Sequence, residues 1–124
     1  MIYETYCSYE VAVLLKEKGF DIGCYGRYSI RSKEFHFDAT RKCENHGLFI
    51  IAAPTHQMAM KWLREVHKLY INIWADPKDV ENDDFDIIFR AQVYDGASNY
   101  GIHEFSTYEE ACEALLKFTL ENLI

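Results

Sequence analysis

Proline and glycine are scarce in this chain, two and six among 124 residues, and nowhere do they gather into a flexible or low-complexity stretch. That scarcity excludes a linker-divided array and leaves one domain, 1–124, as the simplest organisation. Glycine-rich phosphate cradles are missing too: neither G-x-x-x-x-G-K-[ST] nor G-x-G-x-x-G occurs, and no G-x-S-x-G elbow offers a serine nucleophile. The longest apolar run, LFIIAAP (48–54), is far too short to span a bilayer. MIYETYCSYE lacks the basic start, apolar core and small-residue cleavage site of a secretion signal. A cytoplasmic protein with no membrane partner is expected. Basic residues are in deficit, 13 Lys and Arg against 20 Asp and Glu, for a net charge of −7 and a pI near 5.1. The mean field therefore repels phosphate backbones and acidic lipid surfaces, favours a basic protein partner and makes nucleic acid an unfavoured one. The four cysteines, Cys7, Cys24, Cys43 and Cys112, are widely spaced. A chain of this length buries about two thirds of its unfolded surface without covalent staples, so reduced thiols are expected.

What the chain has in quantity is apolar and aromatic side chains, 49% hydrophobic and 15% aromatic, more than a disordered chain carries. Their periodicity divides the sequence. Ser8 caps a helix over 9–18 that Gly19 ends, with Phe20 as the apolar contact beyond it. CYGRYSI (24–30) and EFHFDA (34–39) flank an RSK turn as hairpin arms, TRKCENHG (40–47) is a loop, and LFIIAA (48–53) is a short buried strand. Pro54 ends that strand. Thr55 caps a second helix with Ala59, Trp62, Leu63 and Val66 on its dry side and Gln57, Lys61, Arg64, Glu65 and Lys68 on its wet side. YINIWAD (70–76) then alternates, Ile71, Ile73 and Ala75 against Tyr70, Asn72 and Trp74. After the acidic turn PKDVENDD (77–84), FDIIFRAQVY (85–94) alternates as well, Phe85, Ile87, Phe89, Ala91 and Val93 against Asp86, Ile88, Arg90, Gln92 and Tyr94. A DGASN loop leads to a third strand, NYGIHEF (99–105). Thr107 and Glu110 open the last helix with a capping box. Its polar stripe is Glu110, Glu113, Lys117 and Glu121; Ala111, Leu115, Leu116, Phe118, Leu120 and Leu123 are apolar. The fold class is α+β: an antiparallel three-stranded meander flanked by two helices on one face, preceded by an N-terminal helix and a β-hairpin. The broad dry face of the last helix needs cover from the sheet and from another helix or a second subunit, so self-association through this C-terminal helix is one expected partner mode.

Motifs that could carry chemistry are few. Cys43 and His46 form a C-x-x-H pair, with Cys24 and His36 as completions across the hairpin, but zinc requires four ligands and one close pair does not supply them. Read as nucleophile and base, the same pair lacks an orienting carboxylate and an oxyanion loop. Asp79, Glu81, Asp83, Asp84 and Asp86 fail as a calcium loop, because the sixth and twelfth positions from Asp79 are Asp84 and Arg90 in place of Gly and Glu. His56 and His67, about three turns apart, are read as a first-turn surface histidine and a last-turn histidine near the negative helix end. Trp62 is core. No catalytic residue, metal site or cofactor is expected.

One constellation stands above this background. With the flanking helices covering the side of Ile71, Ile73, Phe85, Ile87 and Phe89, the residues Tyr70, Asn72, Trp74, Arg90, Gln92 and Tyr94 point the other way. Rigid amphipathic aromatics beside amides and a guanidinium suit recognition. The competing reading is that the N-terminal helix and hairpin close over this face, since an isolated hairpin must pack on something.

APTHQMAMKWLREVHKLYINI (53–73) and TYEEACEALLKFTLENLI (107–124), and more loosely SYEVAVLLKEKGF (8–20), resemble a family of short proteins of gut Bacteroidales and their phages and mobile elements. The resemblance implies an intracellular, phage-linked origin and brings no activity, so no functional residue is carried over. The order helix, three strands, helix is also similar to the double-stranded-RNA-binding domain. That domain's last helix starts with phosphate-binding lysines, whereas this one starts Tyr108-Glu109-Glu110, which repels RNA. The expectation is a non-enzymatic protein-interaction module, such as an accessory or counter-defence factor that occupies a basic host surface. The alternative is a small-ligand or nucleic-acid-binding module of that RNA-binding topology.

Overall fold

The computed structural model describes residues 2–78 and 86–124. Helix α1 (Tyr9–Glu17) starts where the Ser8 hydroxyl accepts the Val11 N–H at 3.2 Å. It stops where Gly19, at φ 92°, lets the Phe20 N–H reach back to the Leu15 carbonyl at 2.9 Å, a left-handed termination that suits a residue without a Cβ. Val11, Ala12 and Leu15 form its buried face.

Strands β1 (Gly26–Ser29) and β2 (Phe35–Phe37) make the expected hairpin, but β3 (Ile50–Ala53) joins it on the other side of β1, giving an antiparallel sheet of order β2-β1-β3. The hairpin thus finds its packing partner in the next strand and in α1, which packs on β3. Gly26 is required here, because a Cβ would lie 2.8 Å from the Ala53 carbonyl oxygen. The 48–53 segment is only partly the buried strand expected. Leu48 and Phe49 are 82% and 61% exposed, and the run turns inward at Ile51, because the outer end of β3 overhangs the core. The loop before it is pinned: Cys24 and Cys43 exchange backbone hydrogen bonds of 2.9 and 2.7 Å, and the Asn45 side chain donates to the Phe20 carbonyl and accepts the Ala52 N–H.

Helix α2 (His56–Val66) is capped by Thr55, whose hydroxyl accepts the Met58 N–H at 3.2 Å. Its buried residues are His56, Ala59, Met60, Trp62 and Leu63. This corrects two expectations. Val66 is 58% exposed, because the last turn runs past the core, and His56 is 3% exposed instead of lying at the surface; Met60 is a buried residue the stripe did not include. Trp62 is core, edge-on to Phe20 at 5.4 Å. His67, the residue that ends α2, sets its ring against Trp62 at 4.7 Å.

Strands β4 (Tyr70–Lys78), β5 (Asp86–Tyr94) and β6 (Asn99–Phe105) form the antiparallel meander, in the order β4-β5-β6. Pro77 and Lys78, expected in the acidic turn, continue β4; the rest of that turn and Phe85 lie outside the described residues. Helix α3 (Tyr108–Asn122), capped by Thr107, lies on all three strands and buries Ala111, Cys112, Leu115, Leu116, Thr119 and Leu120. Helices α1 and α2 also pack on α3. The dry face of the last helix is therefore largely covered within the chain, with Ala114, Phe118 and Leu123 half-buried at its margin. Buried residues of all three helices and both sheets belong to one apolar cluster. No helix among the described residues is long and apolar enough to cross a membrane.

Candidate functional site

Register brings the six expected recognition residues together. Tyr70 pairs with Tyr94, Asn72 with Gln92 and Trp74 with Arg90, so they occupy three alternate rungs of one sheet face. Ile71, Ile73, Phe89, Ala91 and Val93 take the opposite face and join the core beneath α3. The N-terminal helix packs on β3 and α3 and the hairpin on β3, and this sheet face keeps access to solvent: Asn72 and Tyr94 are exposed, and Tyr70, Trp74, Arg90 and Gln92 half-buried.

Arg90 is the fixed point of this face. One of its terminal nitrogens lies 3.2 Å from Glu104 Oε1 on β6, and its Nε lies 3.1 Å from Asp76 Oδ2 on β4 without hydrogen-bond alignment. The Trp74 indole N–H donates to the same Asp76 oxygen at 3.0 Å. The Tyr70 and Tyr94 rings lie 6.4 Å apart, and the Tyr94 hydroxyl donates to the Gly96 carbonyl. Asp76 and Glu104 were missing from the sequence reading. Asp76 follows Trp74 by two residues and was legible by alternation, whereas Glu104 needs the β5–β6 register, which shifts between Ala91 and Val93. One guanidinium against two carboxylates leaves the face acidic around its aromatic rings.

A second cluster was not legible at all. The segment before α1 runs beside the start of α2: Tyr6 bridges to Thr55, the Cys7 N–H donates to the Pro54 carbonyl at 2.9 Å, and the His56 N–H donates to the Thr5 carbonyl at 2.9 Å. This places the Cys7 thiol beside the His56 ring, and α3 brings Glu113 to both. Glu113 Oε1 accepts the Ser8 N–H at 2.7 Å and lies 2.8 Å from His56 Nε2. The ligand atoms of Cys7, His56 and Glu113 all fall within 4.8 Å of one another, and among the described residues this is the one group of three or more metal-capable side chains so gathered. Glu113, expected in a wet stripe, is half-buried because it satisfies these donors. Burial pushes its carboxyl up, but the hydrogen bonds from His56 and Ser8 outweigh that and hold it below the usual value. The Ser8 N–H belongs to the N-cap of α1, so the carboxylate sits at a helix N-terminus, with the sign that favours an anion. Burial raises the Cys7 thiol well above its ordinary range, so it is no ready thiolate nucleophile. His56 and Glu113 also line an open cavity of about 590 Å³ with Thr5, Ser8, Glu10, Phe105, Glu109 and Lys117.

Cys43 and His46 join no group of three metal-capable side chains among the described residues. His46 Nε2 lies 2.6 Å from Glu44 in solvent, the Cys43 thiol donates to the Glu44 carbonyl, and His36 is exposed on β2. No protein-family model, curated protein or solved structure matches this chain.

Proposed function

We propose that this chain is a non-enzymatic protein-interaction module that docks a cationic segment of a partner protein on the open face of the β4-β5-β6 sheet. The observation that carries the reading is the three-rung array of Tyr70, Tyr94, Asn72, Gln92, Trp74 and Arg90, framed by Asp76 and Glu104. Aromatic side chains held by neighbouring rungs lose little conformational freedom on binding, which suits them to anchor a partner. The two carboxylates and the net charge of −7 steer Lys and Arg side chains toward the rings, where cation–π contact adds to the attraction. Such a module suits an accessory or counter-defence factor acting on a basic host surface. The element order α2-β4-β5-β6-α3 is that of the double-stranded-RNA-binding domain, but exposed Glu109 and Glu110 at the start of α3 disfavour a phosphate partner.

The test is peptide selection on the purified chain from a random displayed library. Enriched peptides should be rich in Lys and Arg, and their affinity should fall steeply between low and physiological salt. Trp74→Ala should weaken them by a factor on the order of 30, the loss typical of a central aromatic anchor, while Lys61→Ala on the outer side of α2 should leave them unchanged. Peptides that bind a Trp74→Ala/Tyr94→Ala variant as well as the parent would overturn the reading. So would tight binding of duplex RNA at low salt.

A further inference from the structure

We propose that Cys7, His56 and Glu113 form a binding site for a divalent transition-metal ion, Zn²⁺ before others, tying the start of α1, the start of α2 and the middle of α3 to one ion. The inference is independent of the docking face, which lies on the far side of the meander from α3.

The donor set is one that zinc takes: a thiolate sulfur, an imidazole nitrogen and a carboxylate oxygen. A tetrahedral zinc with bonds of about 2.0–2.3 Å holds its ligand atoms roughly 3.3–3.6 Å apart. Here the three atoms already lie within 4.8 Å of one another and the nearest pair is 2.8 Å apart. Closing them around an ion changes these separations by on the order of 1 Å, a range side-chain rotation covers. Charge points the same way. A thiolate and a carboxylate cancel the two positive charges of the ion, so a site with Cys7 at 0% and His56 at 3% exposure encloses no net charge, the condition under which ions are buried at least cost. On binding, the Cys7 proton leaves to solvent, a sulfur–zinc bond replaces it, and the imidazole carries its proton on Nδ1 once Nε2 holds the metal.

The surroundings already orient the ligands. The Ser8 N–H fixes the Glu113 carboxylate, the kind of outer support that metal ligands need, and the Tyr28 hydroxyl holds the Cys7 backbone by donating to its carbonyl at 2.7 Å. Access is provided by the cavity in whose wall His56 and Glu113 stand. Its rim carries Glu10, Glu109 and Glu110 against the one cation Lys117, already paired with Glu10 at 2.8 Å, a field that draws cations inward. Three protein donors with a cavity beside them leave the fourth position to water or to a donor atom of a small molecule.

The experiment titrates Zn²⁺, and Co²⁺ as a spectroscopic substitute, into the full chain after chelator treatment and dialysis. One ion per chain should bind, Co²⁺ should give thiolate-to-metal charge-transfer absorption, and Zn²⁺ should raise Tm. Cys7→Ser should abolish the charge-transfer band. His56→Gln, which keeps a donor toward Glu113 and so keeps the fold should Cys7→Ser lose it, should weaken uptake by at least the roughly 10- to 100-fold that an outer-sphere partner is worth. A Cys43→Ser/His46→Ala variant should bind like the parent. Failure of the parent to bind either ion stoichiometrically overturns the proposal, as does unchanged uptake in a folded His56→Gln chain or loss of uptake confined to the Cys43→Ser/His46→Ala variant.

Discussion

Removal of the Glu113 carboxylate gives the most direct reading of how the three helices are held together. In Glu113→Ala the His56 ring, 4% exposed, loses the partner of its Nε2 at 2.8 Å, and the Ser8 N–H loses its acceptor at 2.7 Å. A hydrogen bond to a charged group contributes about 1.5–3 kcal/mol, and a buried donor left without a partner keeps its full desolvation cost. Ser8 is half-buried in the cavity wall, so the loss at its N–H adds about 1 kcal/mol. Glu113 is itself 31% exposed, which trims the electrostatic part and brings the total to about 2–3 kcal/mol. For a chain of this size that is a fall in Tm on the order of 10 °C. Urea unfolding followed by circular dichroism, with chelator present throughout so that no metal contributes, measures it. Glu113→Gln, which keeps an acceptor oxygen without the charge, should lose about half as much. A coupling energy from the Glu113→Ala/His56→Ala cycle should account for most of the effect. If Glu113→Ala unfolds within about 0.5 kcal/mol of the parent, the range of ordinary surface substitutions, the carboxylate does not hold the helices and the reasoning is wrong.

Gly26→Ala should destabilise by about 1–3 kcal/mol in the same assay, the usual cost of overpacking, because the new methyl meets the Ala53 carbonyl oxygen at 2.8 Å. Gly47→Ala, which meets nothing within 4 Å, should be neutral. The Asp95 carboxyl accepts the Ser98 and Ala97 N–H groups and the Tyr100 hydroxyl, and these hold it below its usual value of 3.8. A folded value below the unfolded one stabilises above the unfolded value and fades as pH falls through the folded one. The β5–β6 turn should therefore loosen only below about pH 4, seen as faster amide exchange at Ala97 and Ser98, and an Asp95→Asn chain should not show this acid step. Burial pushes the Cys24 and Cys112 thiols up to about 11 and Cys7 higher than its ordinary range, whereas Cys43 is only half-buried and less affected. A thiol reagent at neutral pH should accordingly modify Cys43 first and the other three only on unfolding; simultaneous reaction of all four would contradict the burial pattern.

The parts of this protein that follow local rules were legible. Ser8, Thr55 and Thr107 cap the three helices as their side chains dictate, Gly19 ends the first, and alternation from Tyr70 to Tyr94 places six residues on one face. Errors cluster where the outcome depends on where an element ends relative to the core. Val66 and Leu48 are apolar by type yet exposed, since each lies past the edge of what the neighbouring elements can cover. The addition of β3 to the hairpin was likewise invisible, because pairing of 26–29 with 50–53 is decided across a loop that carries no pairing signal of its own.

By itself the sequence determined the elements, their order, the acidity and the composition of the sheet face, all properties settled by interactions within a few residues along the chain or by simple sums over it. Tertiary structure alone decided that α3 is covered by α1 and α2, that Arg90 is held between Asp76 and Glu104, and that Cys7, His56 and Glu113 meet. Those three residues are separated by dozens of positions and belong to no shared periodicity. Only the burial of three helices against one sheet brings their polar atoms within reach, and a buried polar atom must find its partner wherever packing leaves one.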